Sequence, residues 1–429
     1  MEICMTKNQD KKTIYLFHHY AEVPAYGTSL RHWSLMRYLM SKGYEVKVFA
    51  SSFVHSVKKN MILDSDSTEY IERVVDGVPF VYIKTRSYDS KYNRILNMIE
   101  YYVRLKKNIG EFKKPDLIIT TMPQPLACLA GAQISKKYNI PFVCEILDLW
   151  PESIVTYGNF SPINPVIILL YKLEKWIYKK ADQLVFSWEG AYDYILDKKW
   201  NKEIPKAKFN YINIGVDLDE FEQDVQTHTI DDCDLDDTTF KVMYCGAIRP
   251  ANDIEILVKC AKNLKENGYD EIKIIIYGDG PDKKRLEDIV CDNKLTNIVF
   301  KGFINKRYIP YVLTKSDVNI LNLKPASTQK YGNSSNKLFE YFAAGNPVIA
   351  NIVEGKYPII SKFGCGIVVK PQSVDDYCKA IVRMYKLYKY DKTRFDEYRS
   401  NAKKAAEYFD MKNMNEKFEN VIHNLLGAK

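Results

Sequence analysis

Short apolar runs alternate with amphipathic stretches along almost the whole chain, and this alternation constrains the fold more than any other feature. The runs predicted as strands are 13–17, 45–50, 116–120, 141–145, 183–187 and 209–216, followed by 240–244, 272–277, 298–300, 317–321, 348–350 and 366–369. Helical patterns lie between most of them. Strands separated by helices are typical of parallel sheets with helices on both faces. The sequence therefore predicts an α/β protein with doubly wound sheets.

An acidic segment separates the two series of strands. Residues 217–238 lack apolar periodicity and contain a cluster of aspartates, and we interpret them as an exposed connection. A chain of 429 residues is long enough for two domains. We therefore predict one Rossmann-like domain over residues 1–216, a second over 239–400, and a charged helical tail over 401–429.

Composition narrows the function classes. The nine cysteines are scattered without a C-x-x-C pair, which is typical of a reducing cytoplasm rather than a disulfide framework. The six histidines form no cluster with metal-ligand spacing, so no metal site is predicted. Residues 1–12 are polar, and no aliphatic run approaches the ~20 residues that span a bilayer. We expect neither a signal peptide nor a membrane-spanning helix.

The net charge of +8 is modest for this length, and no nucleic-acid partner is predicted. Two segments, residues 91–114 and 165–180, nevertheless interleave lysine and arginine with aromatic and aliphatic side chains. Basic amphipathic helices suit an anionic membrane surface. The alternative is that the apolar stripe of each helix packs in the core while its lysines face solvent. The sequence leaves both interpretations open.

Residues 334–350 predict a loop, a short helix and a buried strand. Asn336 lies at the helix start, and Gly345 ends the helix before the strand. Lys337 and Glu340 would then lie in the first turn, beside backbone N–H groups that favour an anion. A capping box does not explain Glu340, because Leu338 occupies the position that such a box requires. A sugar phosphate, which carries an anion and neighbouring hydroxyls, is the ligand that fits.

This segment resembles the nucleotide-sugar site of retaining GT-B glycosyltransferases of family 4, particularly the branch that builds bacterial capsule and O-antigen polysaccharides. The resemblance covers nearly the whole chain. It implies two Rossmann-like domains facing across a cleft and a C-terminal helix that crosses back to the first domain. It also implies that Glu340 holds the donor ribose, with Asn336, Lys337 and Leu338 around the nucleotide. Many members carry a second glutamate eight positions earlier, where this chain has Gly332.

Three segments at strand ends in the second half extend the resemblance, because ligands of open α/β sheets bind at the carboxyl ends of strands. Gly246 and Arg249 resemble the loop that admits and neutralises the donor pyrophosphate. Gly278 and Gly302 lie in turns that resemble the family segments near the nucleotide base. The alternative for Arg249 is a surface arginine without a ligand.

The first half contributes two candidate segments. The loop after the first strand contains His19, Gly27 and Thr28, which the resemblance places near the donor phosphate or the acceptor. Glu145 and Asp148 begin a Glu-x-x-Asp-Leu-Trp-Pro-Glu stretch and are our candidates for catalytic contacts, with Asp148 favoured. The alternative is that Asp148 caps a helix.

Two further patterns are assigned no chemistry. The segment from Asn213 to Asp217 resembles the family's turn at the cleft, with an additional isoleucine, and is interpreted as an architectural marker. Asp64-Ser-Asp66 and Asp234-Leu-Asp236 match the metal motif of the other large glycosyltransferase fold, but neither follows a predicted strand.

The resemblance implies a retaining, metal-independent transfer of a hexosyl or N-acetylhexosaminyl group from a nucleotide diphosphate sugar, with UDP favoured. The acceptor would be a glycan or lipid-linked glycan of bacterial surface polysaccharide synthesis, handled in the cytoplasm, at or near the inner face of the cell membrane. Asp148, Glu145, Arg249 and Lys337 are the predicted catalytic residues. Two alternatives stay open: a GT-B nucleotide-sugar epimerase, and a non-catalytic subunit that binds a nucleotide sugar.

Overall fold

The computed structural model describes residues 11–24, 31–63, 65–158 and 160–427. The strands are β1 (Thr13–Phe17), β2 (Glu45–Ser51), β3 (Phe53–Val54), β4 (Lys59–Asn60), β5 (Tyr70–Val75), β6 (Val78–Ile83), β7 (Leu117–Met122), β8 (Phe142–Ile146), β9 (Gln183–Phe186), β10 (Phe209–Tyr211), β11 (Phe240–Cys245), β12 (Ile272–Tyr277), β13 (Ile298–Gly302), β14 (Val318–Leu321), β15 (Val348–Ala350) and β16 (Gly366–Val368).

The helices are α1 (Arg31–Ser41), α2 (Lys91–Asn108), α3 (Pro125–Tyr138), α4 (Glu152–Gly158), α5 (Pro165–Lys180), α6 (Ala191–Asp197), α7 (Leu218–Thr227), α8 (Cys233–Asp236), α9 (Glu255–Glu266), α10 (Lys283–Asp292), α11 (Ile309–Thr314), α12 (Asn336–Ala343), α13 (Ile360–Phe363), α14 (Val374–Tyr390), α15 (Lys392–Tyr408) and α16 (Met411–Gly427). Short 3-10 turns connect several of these elements.

The first sheet has the strand order β10-β9-β8-β7-β1-β2-β6-β5, and all its pairs are parallel except β5 with β6. Its central strands are buried along their whole length, which explains why they read as continuous apolar runs. The β5–β6 hairpin turns at Asp76 and Gly77, both with positive φ. The sequence pattern does not predict this hairpin, because β5 lies at the sheet edge and none of its residues is fully buried.

The second sheet is parallel throughout, in the order β13-β12-β11-β14-β15-β16. Each sheet forms one Rossmann-like unit, and the two units together give the GT-B fold that was predicted from the sequence. At the carboxyl ends of β11, β12 and β13 the chain makes tight glycine-containing turns. These turns and the start of α12 position the candidate site.

Residues 217–238, which the sequence predicts as an exposed connection, are only partly exposed and contain two helices. Residues in this stretch form α7 and α8, and α7 packs against α11. The aspartates pair with lysines of the second sheet: Asp237 lies 2.8 Å from Lys273, and Asp232 lies 2.7 Å from Lys301. The acidic cluster is therefore partly neutralised by lysines of β12 and β13, while Asp231 and Asp236 stay exposed to solvent.

The last two helices run back across both units. α15 packs on α12, and α16 packs on α1 of the first unit. Tyr44 Oη donates to Glu419 Oε1 at 3.1 Å, and Asn415 Nδ2 donates to Ser34 Oγ at 3.0 Å. The tail therefore connects the helix that carries Glu340 to the first unit.

Candidate active site

Three glycine turns stack at the carboxyl ends of β11, β12 and β13. The N–H of Gly278 donates to the carbonyl of Gly302 at 2.7 Å, and the N–H of Gly246 donates to the carbonyl of Tyr277 at 2.9 Å. A Cβ atom on Gly278 would lie 1.8 Å from the carbonyl oxygen of Gly246, so no other residue fits there. The φ angles of Gly246 and Gly278 are +147° and +150°, which also require glycine. The result is a platform of bare backbone at the strand ends.

The Lys337 ammonium covers this platform. A Cβ atom on Gly246 would lie 2.2 Å from Lys337 Nζ, so the glycine leaves the space that the lysine occupies. Lys337 Nζ donates to Tyr244 Oη at 2.8 Å and lies 4.4 Å from the centroid of the Tyr244 ring. Burial, together with the charge of Arg249 nearby, lowers the pKa of Lys337 to about 8. A cation held in this way beside open backbone is suited to an anionic ligand.

Glu340 follows Lys337 within the first turns of α12. Its side chain is partly buried, and no hydrogen-bond donor to its carboxylate is found in the part of the chain that the structure describes. Burial raises the pKa of Glu340 above its ordinary value, while Lys306 and Lys337 oppose that shift. A partly buried carboxylate without a donor costs free energy unless a ligand supplies one.

The start of α12 is open. Ser335, the residue before the helix, makes no side-chain hydrogen bond to the helix, as the failed capping-box pattern indicated. Asn336 is exposed at the first helical position. Leu338, in contrast, is fully buried, and its N–H donates to the carbonyl of Ser335 at 3.0 Å. The predicted nucleotide contact at Leu338 is therefore not favoured by the geometry, whereas that at Asn336 remains a prediction.

The opposite wall of the cleft comes from the first unit. Tyr157 on α4 lies within electrostatic reach of both Asp148, which follows β8, and Arg249, which follows β11. The hydroxyls of Thr156 and Ser327 are 3.2 Å apart and join the two units close by. Two of the predicted catalytic side chains thus approach one tyrosine from opposite units.

Asp148 and Arg249 differ in their surroundings. Burial raises the pKa of Asp148, although hydrogen bonds from the Ser153 side chain and the Leu149 N–H oppose the shift. Asp148 precedes α4 by four residues, so it is not the residue that begins that helix. Arg249 is exposed, and no salt bridge to it is found among the described residues. Its guanidinium is available to a ligand.

Glu145 lies away from the ligand space. It is fully buried at the end of β8, where its carboxylate accepts from Arg31 Nε at 2.6 Å, lies 2.5 Å from His32 Nε2 and accepts from Thr121 Oγ1 at 3.2 Å. Burial alone would raise its pKa, but Arg31 and His32 hold the pKa of Glu145 well below its ordinary value. The predicted substrate contact is corrected to a buried ion pair, because both oxygens are already occupied.

His19 also departs from its predicted role. It is 2% exposed, its Nε2 lies 2.7 Å from Asn97 Oδ1, and its ring packs edge-on against Tyr101. Burial lowers the pKa of His19 to about 3, so the imidazole is neutral. The structure places it under α2 rather than in the cleft. Gly27 and Thr28, the other predicted residues of this loop, lie outside the described residues, as does Asp64.

The sequence did not predict three residues that contact the candidate residues: Tyr244 and Tyr157 at the site, and Arg31, which pairs with Glu145 outside it. Tyr244, which supports Lys337, looked like an ordinary buried strand residue, and only its position two residues before Gly246 could have pointed to it. Tyr157 lies in a helix without a distinctive pattern. Arg31, the partner of Glu145, is 114 positions away in the chain, and no local signal connects the two.

Comparison with known proteins places this architecture in a family. Residues 27–220 match the family model described as Glycosyltransferase Family 4, and residues 226–407 match the model described as Glycosyl transferases group 1. Taken together, the two matches extend over most of the chain. The chain belongs to the family 4 glycosyltransferases of the GT-B fold.

Individual relatives are distant. Residues of this chain are 23% identical over 211 positions to the uncharacterized glycosyltransferase MJ1069 of Methanocaldococcus jannaschii, covering 49% of this chain and 51% of that protein. They are 24% identical over 353 positions to Protein CapJ of Staphylococcus aureus, covering 79% of this chain and 77% of CapJ. The chain thus spans about half the length of the first of these relatives and three quarters of the second.

Solved structures share the fold. The sucrose-phosphate synthase of Thermosynechococcus elongatus superposes with a TM-score of 0.70 at 16% identity, covering 98% of this chain and all of that one. HepE of Anabaena, crystallised in complex with UDP, superposes with a TM-score of 0.66 at 14% identity, covering 96% of this chain and all of that one.

Proposed function

We propose that this protein is a retaining glycosyltransferase that moves a sugar from a UDP-sugar to a glycan or lipid-linked glycan acceptor in surface polysaccharide synthesis. One observation carries the proposal: Glu340, without a donor partner, lies beside the Lys337 ammonium and the bare backbone at Gly246. A nucleoside diphosphate offers vicinal hydroxyls to Glu340. It also offers an anionic diphosphate to Lys337 and to the backbone at Gly246. The complex of the similarly folded HepE with UDP supports the choice of nucleotide.

In this proposal, each side chain has one task. Glu340 accepts hydrogen bonds from the ribose hydroxyls, which fixes the nucleoside. Lys337 and Arg249 offset the charge that develops on the diphosphate as the bond from its oxygen to the anomeric carbon breaks. The acceptor oxygen bonds to that carbon from the same face, and its proton passes to the leaving phosphate oxygen. Asp148, which lies near Tyr157 in the first unit, would accept a hydrogen bond from a sugar hydroxyl.

The activity is tested with a panel of nucleotide sugars, each incubated with and without lipid-linked glycan acceptors. A transferase releases UDP and extends the acceptor only when both substrates are present. An epimerase changes the nucleotide sugar without any acceptor, and a binding subunit retains the nucleotide sugar without turnover. Either of the last two results would overturn the proposal.

Arg249 gives the first quantitative prediction. Arg249→Ala should weaken UDP binding by roughly 1.5–3 kcal/mol, the range for hydrogen bonds to a charged group. Isothermal titration calorimetry measures this directly. Arg285→Ala is the matched control, because Arg285 is an exposed arginine of the same unit that pairs with Glu255 rather than facing the cleft. Equal affinities for the wild type and Arg249→Ala would exclude a role in holding the diphosphate.

We propose peripheral membrane contact as part of this function, and α5 supports it most directly. Its buried face carries Ile167, Ile177 and Tyr178 together with Glu174, which is fully buried and accepts from Tyr194 Oη at 2.8 Å. Its outer face also presents apolar side chains: Val166 and Leu169 are 63% and 64% exposed. Only part of the apolar stripe is therefore used in the core. No helix of the described chain is long and apolar enough to cross a bilayer.

A second exposed stripe of apolar side chains, on α2, extends this surface. On α2, the side chains of Tyr92, Ile95, Ile99 and Val103 recur at helical spacing and are all exposed. α3 packs between α2 and α5, so the two stripes lie on the same face of the first sheet. Basic residues outnumber acidic ones on α2 and α5, although Glu69 pairs with Arg104 and Lys107, and Glu203 pairs with Lys175 and Lys179. The remaining positive charge favours an anionic lipid surface as the partner.

Sedimentation with vesicles tests the membrane surface. The wild type should bind vesicles rich in phosphatidylglycerol, bind phosphatidylcholine vesicles weakly, and lose binding at high salt. Val166→Ser combined with Leu169→Ser should abolish the binding. Val74→Ser is the control, since Val74 is 73% exposed on the edge strand β5. No binding by the wild type at low salt, or equal binding by both variants, would contradict the assignment.

A further inference from the structure

A buried polar network runs from the first sheet to the segment that joins the two units. Arg31, paired with Glu145, also donates to the backbone of this segment: its Nη1 reaches the carbonyls of Asn213 at 2.6 Å and Ile214 at 3.0 Å. Its Nη2 reaches the carbonyl of Ile212 at 3.3 Å. Arg31 is only 4% exposed. The end of β8 therefore holds this turn in one position.

The side chain of Asn213 carries the network into the second unit. Its Oδ1 accepts from Ser334 Oγ at 3.1 Å, and its Nδ2 donates to the carbonyl of Asn333 at 3.2 Å and to Tyr211 Oη at 3.0 Å. Asn213 is 1% exposed, and these bonds are partly buried, which strengthens them relative to hydrogen bonds in open water. Asn333 and Ser334 come directly before α12.

The rest of this loop is bound to the first unit as well. Tyr331 is buried in the core of the first unit, and its carbonyl accepts from the N–H of Gly190 at 2.8 Å. Its hydroxyl donates to Asp197 at 2.8 Å. A loop that belongs by sequence to the second unit is therefore held by the first, and Asn213 is the contact that lies next to the start of α12.

We infer that Asn213 is a positioning residue that fixes the start of α12, and with it Lys337 and Glu340, opposite the wall that carries Asp148. This inference rests on the proposed function. The groups that would hold the nucleotide all lie in the second unit, so UDP binding does not need this link. Transfer needs both walls at the correct separation, and small misplacements of reacting groups are costly. Loss of Asn213 should therefore affect turnover much more than UDP affinity.

Asn213→Ala tests the inference, with Asn210→Ala as the matched control. The Asn210 side chain makes three hydrogen bonds, and all of them lie within the first unit. For Asn213→Ala we expect kcat to fall by about tenfold or more, and the Kd for UDP to stay within about twofold. Asn210→Ala should leave both near wild type. Unchanged kcat in Asn213→Ala, or the same loss in both variants, would overturn the inference.

Two additional measurements keep the inference separate from the proposed function. If Asn213 acts through Ser334, the effects of Asn213→Ala and Ser334→Ala on kcat should be non-additive in a double-mutant cycle. Amide hydrogen exchange needs no activity: it should become faster at residues 336–340 in Asn213→Ala and not in Asn210→Ala. A wild type without transfer would contradict the proposed function, and unchanged exchange would contradict the positioning role.

Discussion

Replacement of Glu340 by glutamine is expected to reduce sugar transfer by at least about a hundredfold while the protein stays folded. Two hydrogen bonds from ribose hydroxyls to a carboxylate are worth roughly 1.5–3 kcal/mol each, and a neutral amide cannot accept both in the same way. The loss should appear in kcat/KM for the nucleotide sugar. Glu340→Ala should be at least as inactive.

The stability of the Glu340 variant separates this role from a structural one. Because burial raises the pKa of Glu340, its charge is unfavourable in the empty folded protein above the ordinary pKa of a glutamate. Glu340→Gln should therefore unfold at the same temperature as the wild type or higher, as followed by scanning calorimetry. Glu287→Gln, on the exposed face of α10, is the matched control and should retain full activity. Full turnover by Glu340→Gln would contradict the proposal that Glu340 holds the ribose of the donor.

Lys337 should make nucleotide binding depend on pH in the alkaline range. Its pKa is lowered to about 8, so the ammonium that would meet the diphosphate is present below that pH and lost above it. UDP affinity of the wild type should therefore decrease as the pH rises from 7 to 9.5. Lys337→Met should weaken binding at pH 7 by roughly 1.5–3 kcal/mol and remove this dependence. Titration calorimetry across the range measures both effects.

Lys337→Arg is the informative companion, because a guanidinium stays protonated over the whole range. It should bind UDP with an affinity that does not decrease between pH 7 and 9.5. Without a ligand, the stability of the fold depends on pH in the opposite direction. A lysine whose pKa is lowered in the folded state destabilises the fold while it is charged. The wild type should therefore gain stability as the pH rises from about 8 toward 10.5. Identical pH profiles for wild type and Lys337→Met would contradict this account of Lys337.

Much of the fold could be predicted from local patterns. The strands at residues 272–277 and 348–350 have the predicted bounds, because buried parallel strands leave continuous apolar runs between breakers. The start of α12 was also predictable, because Ser334, Ser335 and Asn336 are cap-type residues that come just before an apolar helical face. Gly246, Gly278 and Glu340 could be proposed on the same grounds, as groups at the ends of strands or at the start of a helix.

The predictions that differ from the structure concern residues whose partners are distant in sequence. The acidic segment looked exposed because Lys273 and Lys301, which neutralise it, belong to strands that follow it by several dozen residues. Glu145 looked like a catalytic carboxylate because nothing near it in sequence reveals Arg31. For α5, periodicity alone could not say which apolar side chains face inward: Ile167 and Ile177 are buried beside Glu174, whereas Val166 and Leu169 are exposed. In each case the deciding contact is tertiary.

A crystal structure of the protein with UDP is the most direct test of the central claim. The account predicts the Glu340 carboxylate at hydrogen-bond distance, about 2.6–3.2 Å, from the ribose hydroxyls, with the diphosphate against Gly246 and Lys337. A nucleotide bound elsewhere, or one bound in the cleft with its ribose turned away from Glu340, would contradict it.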